Sequence, residues 1–124
     1  MHRSRLQVVL IDSPPDVADA EVAFWAAALG REPQPEVGTP FTVLSTLGSG
    51  LVLAHQRLNE GASRIHLDIE TDDTEAEVRR LEKLGAVRSG EHDGSVQLRD
   101  PAGLVFCVVP VQSDDFEERA AVWG

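Results

Sequence analysis

His66 and Asp68 stand two residues apart in the run Ile65-His66-Leu67-Asp68-Ile69-Glu70, where apolar and polar residues alternate strictly. That is the period of a half-buried strand, with Ile65, Leu67 and Ile69 on one face and His66, Asp68 and Glu70 on the other. An imidazole on the polar face points to ligand contact or to a polar cavity network. The competing reading is a half-buried histidine satisfied by a structural hydrogen bond, with Asp68 and Glu70 simply solvated. Cys107 is the one thiol of the chain and sits in the apolar run Leu104–Val109. A thiolate there can bind zinc, but a cysteine among aliphatic residues is more often a small core hydrophobe.

The elements around these residues follow from pattern. After Glu70, Asp72 and Asp73 suit the start of a helix dipole, and Thr74 with Glu77 reads as a capping box. Val78, Leu81 and Leu84 form an apolar stripe that Gly85 ends. A weak strand near Ala86–Arg88, a strand at Ser95–Arg99, a turn at Asp100-Pro101-Ala102-Gly103 and a strand at Leu104–Val109 complete a β-α-β-β-β unit. The first half reads the same way. Leu6–Ile11 is a strand, broken by Asp12-Ser13-Pro14-Pro15. Asp16 can cap a helix that runs to Leu29, with Gly30 as its stop. Ala18, Val22, Trp25 and Leu29 make its stripe, and Val17, Phe24 and Ala28 widen it beyond what one sheet contact needs. Phe41–Thr46 and Leu51–Gln56 form a hairpin.

The halves match. Leu6–Ile11 lies over Ile65–Glu70, Leu29-Gly30 over Leu84-Gly85, and Gly50–Ala54 over Gly103–Cys107. The expected fold class is α+β: two tandem β-α-β-β-β modules, about 6–58 and 64–110, forming one curved mixed sheet with a concave cavity and the helices outside. The whole of 1–124 is expected to be one domain. With each helix covering an apolar face, the opposite face carries Gln7, His66, Asp68 and Cys107. Gln7 sits beside Val9 and Ile11, so a structural hydrogen bond competes with ligand contact there. The tail, 111–124, is expected to be a short docked helix, with Ser113 as its cap and Phe116, Ala120 and Trp123 at i, i+4, i+7.

Composition narrows the partners. A length of 124 residues with a hydrophobic share of 42% suits one globular core. A net charge of −10 repels phosphate, which argues against nucleic acid and anionic membrane and favours a neutral or cationic small ligand. The single cysteine allows no internal disulfide and fits a reducing cytosol. No apolar run is long enough to span a bilayer, and the run after the basic N-terminus ends at Asp12, too soon for a signal peptide. There is no phosphate-binding glycine loop and no nucleophile elbow.

Phe24-Trp25 ahead of Leu29-Gly30, His66 opening the second module, Leu81 with Leu84-Gly85-Ala86, and Asp100-Pro101-Ala102-Gly103 before the last strand resemble the vicinal oxygen chelate superfamily. That group holds glyoxalase I, bleomycin-resistance proteins and extradiol dioxygenases, and the resemblance is nearest to its uncharacterised glyoxalase-like branch. It covers about Leu6 to Pro110. It implies four metal-ligand positions, which fall here on Gln7, Ala54, His66 and Cys107. Ala54 cannot ligate, and alternation turns its neighbour His55 to the other face. The carboxylates that would also act as base are missing. The resemblance therefore implies a metal-free homodimer that binds a small molecule, with no cofactor. The alternative is a metal-dependent lyase or isomerase using Gln7, His66 and either Cys107 or His55. Metal content separates the two.

Overall fold

The elements of the computed structural model, which describes residues 1–124, run in this order. They are β1 (His2–Ser13), α1 (Pro15–Leu29), β2 (Gln34–Pro35), β3 (Phe41–Thr46), β4 (Val52–Arg57), β5 (Arg64–Thr71), α2 (Thr74–Lys83), β6 (Val87–His92), β7 (Ser95–Arg99), β8 (Val105–Pro110), α3 (Phe116–Arg119) and β9 (Ala121–Trp123). The class is α+β, and β1-α1-β2-β3-β4 repeats as β5-α2-β6-β7-β8. Contacts divide the chain into one unit of Met1–Gln7 with Leu67–Gly124 and a second unit of Val8–His66. The boundaries fall inside β1 and β5.

In the Val8–His66 unit, β1 runs parallel to β4, with Val8 opposite Val52, Leu10 opposite Ala54 and Asp12 opposite Gln56. Parallel neighbours need a crossover, which α1 supplies. Its start is set by proline in the first turn behind Pro14, not by Asp16, and Gly30 ends it at φ 66°. β4 pairs antiparallel with β3, and β3 with β2. One face gathers Val8, Leu10 and Ala54 with Phe41 and Val52. Ser13 pairs with Arg57 on the alternate positions. Arg57 donates to the Pro15 carbonyl at 3.2 Å and to Asp19 at 2.6 Å, which ties that other face to α1.

In the other unit, β5 runs parallel to β8 and β8 antiparallel to β7, which pairs with β6. Leu67 and Ile69 pack with Val78 and Leu81 of α2 and with Leu98, Phe106 and Val108, as the alternation of β5 requires. Ile65 does not join them: it is 48% exposed, one alternate position upstream of the pair that α2 covers. The helix cap is Asp73, whose carboxylate accepts the Ala76 amide at 3.0 Å. Glu77, expected to close a capping box, is instead fully buried against His2 at 2.8 Å and Arg80. Local spacing could not reveal a partner 75 residues away.

The tail docks, though not as one helix. Only Phe116–Arg119 is helical; Ala120 turns extended, and Ala121–Trp123 pairs antiparallel with His2–Ser4 of β1. Phe116 is buried. Trp123 donates to Ser4 Oγ at 2.9 Å, and the Arg80 guanidinium lies 3.8 Å from its ring centroid. Ser113 does not cap the helix but bonds Glu70. No helix is long and apolar enough to cross a membrane.

Candidate functional site

β1 continues through Asp12 and Ser13 instead of breaking there. Asp12 consequently lies in the ladder, fully buried, on alternate positions with Val8 and Leu10 and opposite Gln56. Its Oδ2 accepts from Arg64 Nε at 3.0 Å and from His66 Nδ1 at 3.3 Å. Its Oδ1 has no donor, nor does Gln56 Oε1 beside it. A buried carboxylate is costly unless paired, and Arg64 offsets this one while keeping 42% of its own side chain exposed. The cluster therefore offers two buried acceptors, little net local charge and one half-exposed cation, on a face otherwise made of Val8, Leu10, Ala54 and Phe41.

His66 and Asp68 are 6% and 9% exposed and alternate on β5 with Leu67 and Ile69, so they lie on the side away from α2. Asp68 is in register with Cys107 of β8. Gln7 is buried, and its Oε1 accepts no hydrogen bond.

The register shifts the match between the modules by one residue. With Ala54 over Cys107, the partner of Ala54 is Leu10 and that of Cys107 is Asp68. Leu10 then matches Asp68, Val8 matches His66, and Asp12 matches Glu70. Val8, not Gln7, stands where His66 stands. The run Val8-Val9-Leu10-Ile11 is apolar at every position, so alternation could not fix its phase. The missed residues are Asp12 and Arg64. A signal for Asp12 was present: Ile11-Asp12-Ser13 lies over Ile69-Glu70-Thr71.

The other histidines have partners that the sequence did not reveal. His55 points to the α1 side, as alternation expects, and is 2% exposed with Ser13 Oγ 2.5 Å from Nε2. Burial lowers its pKa, outweighing the pull of Glu21 and Asp12. Sealed in this way, the Ser13–His55 pair is a structural hydrogen bond and not a nucleophile with its base. His2 meets Glu77, and His92 meets Asp93 at the surface.

The glyoxalase-like domain model matches residues 8–109, and the chain belongs to that family. Among solved structures, it is similar to the NAD-dependent benzaldehyde dehydrogenase from Legionella pneumophila, with 14% identity over 85% of this chain and 98% of that one and a TM-score of 0.64. The Mn(II)-bound glyoxalase from Novosphingobium aromaticivorans is 23% identical over 89% of this chain and 40% of that one, at a TM-score of 0.59. Methylmalonyl-CoA epimerase from Mycobacterium tuberculosis is 16% identical over 87% and 88%, at a TM-score of 0.57. At these identities the likeness is one of fold. No curated protein sequence matches the chain.

Proposed function

We infer that the chain is one domain that binds a small molecule on the Asp12 face without a catalytic metal. The observation that carries this reading is the pair of buried acceptors, Asp12 Oδ1 and Gln56 Oε1, set among aliphatic and aromatic side chains. A small molecule with an apolar body and an N–H or O–H donor complements both features once the half-exposed Arg64 swings aside. The resemblance matched Gln7 and Ala54 to metal ligands; the register puts Val8 in place of Gln7, so both positions are aliphatic. Val17, Phe24 and Leu29 of α1 remain exposed, which supports a homodimer through that helix, and the unpaired Cys107 supports a reducing compartment. The test is a thermal-shift screen of donor-bearing aromatic compounds against the wild type and Asp12→Ala. A true ligand at 100 times its Kd adds about 2.7 kcal/mol to the wild type. Shifts of equal size in both proteins would reject the site.

A second reading is favoured by the donor types: Asp68 and Cys107 are ladder partners, and His66 stands two residues before Asp68. Imidazole, carboxylate and thiolate suit zinc, which needs three protein donors in a catalytic site, better than they suit manganese or magnesium. Asp12, bonded to His66 Nδ1, would orient the imidazole. Such an ion would polarise a substrate oxygen. Against it, Val8 and Ala54, the other two matched positions, carry no donor atom.

A further inference from the structure

On the α2 side of the second module, a cavity of about 520 Å³ opens between β1, β5, β8, α2 and the tail. Its volume is in the range of small-molecule pockets. Leu6, Leu67, Leu104 and Phe106 line it, with Trp123 and Arg80 at one wall. The helix above it, α2, has 10 residues where α1 has 15. Leu6 and Leu104 are each left 42% exposed.

The charged groups around the cavity already have hydrogen-bond partners within the chain. Arg80 clamps Glu77 through two bonds of 2.8 Å. Arg5 is held by Glu70 and Asp115, and Arg119 by Asp115 at 2.7 Å. Asp100 accepts the amides of Ala102 and Leu104. A charged ligand would have to break one of these pairs, and a neutral one would not. A concave pocket of this size also fits a compact molecule better than a protein surface. We propose that this cavity is a second binding site, separate from the Asp12 face, for a neutral, apolar, ring-sized small molecule.

The probe is N-phenyl-1-naphthylamine, a neutral dye that brightens in apolar surroundings, titrated into the full chain. Saturable binding with one dye per chain is expected. Leu104→Glu and Leu6→Glu, both at partly exposed positions, should weaken it by at least roughly tenfold, because each puts a carboxylate into an apolar wall. Their thermal midpoints should stay near that of the wild type. Phe24→Asp, on the exposed apolar patch of α1, and Asp12→Asn, on the first site, should leave dye affinity unchanged. Absence of saturable binding overturns the proposal. So does binding that survives both glutamate variants, or binding lost in Phe24→Asp.

Discussion

Arg5 Nε donates to Glu70 Oε2 at 2.7 Å across 65 residues of sequence, joining β1 to β5. Glu70 is fully buried and also accepts the Gln112 amide at 2.8 Å and the Ser113 amide at 3.1 Å. The same carboxylate therefore fixes the start of the tail. Glu70→Gln should cost about 2–4 kcal/mol by urea unfolding, because it removes charge-assisted bonds and weakens the pairing of a buried guanidinium. A cost below about 0.5 kcal/mol would show that the network contributes nothing beyond an exposed pair.

The acid limb of stability should follow from the same carboxylates. Burial pushes the Glu70 pKa up, but the Ser113 hydroxyl, the Gln112 amide and Arg5 outweigh it, and the net shift is downward. Glu77 is likewise lowered, with Arg80, Ser4 and His2 outweighing burial. A lowered folded pKa means stability that is complete above the ordinary value of 4.5 and is lost as pH falls through the folded value. Unfolding free energy should drop below that pH, less steeply in Glu70→Gln. An unchanged slope in the variant would contradict the assignment.

A second pH window belongs to His55. Its folded pKa is lowered by burial, so the unfolded chain takes up the proton first as pH falls. Its contribution is complete above the ordinary value of 6.5 and is lost below it. Unfolding free energy should fall by up to about 1.4 kcal/mol per pH unit between that value and the folded pKa, and His55→Gln should flatten this region. Equal profiles in both proteins would mean that His55 already titrates freely.

Most of the fold could be read from sequence because its signals are local. Strict alternation at Ile65–Glu70 gave β5 and the face of His66, and Gly30 gave the end of α1. The phase of β1 is not legible, since Val8–Ile11 is apolar on both faces, and the sequence match points to Gln7 where the register puts Val8. The Asp12 cluster depends on bonds to Arg64 and His66, 52 and 54 residues away, which no spacing rule encodes. The tail failed similarly: the spacing of Phe116, Ala120 and Trp123 suits a helix, but pairing of Ala121–Trp123 with β1 and the stacking of Arg80 on Trp123 override it.

Deleting Asp114–Gly124 removes β9, Phe116 and the Trp123 contacts together. Losing two partly or fully buried aromatics should lower stability by about 3–5 kcal/mol, measured by chemical denaturation. Unchanged stability would show that the tail does not dock in solution.

Phe24 is 61% exposed and meets Trp25 edge-on at 5.2 Å, in line with Val17 on the outer side of α1. Sedimentation velocity at micromolar concentration should find a dimer that Phe24→Asp dissociates. A monomer in the wild type would remove α1 as an interface.

Metal content tests the central reading most directly. Elemental analysis should be made on protein purified without chelator or added metal, together with His66→Ala and Asp68→Ala. With Val8 and Ala54 aliphatic, the predicted result is far below one transition metal per chain, with no difference among the three proteins. Near-stoichiometric zinc, nickel, manganese or iron in the wild type, lost in either variant, would contradict the metal-free reading and make the substituted residue a metal ligand.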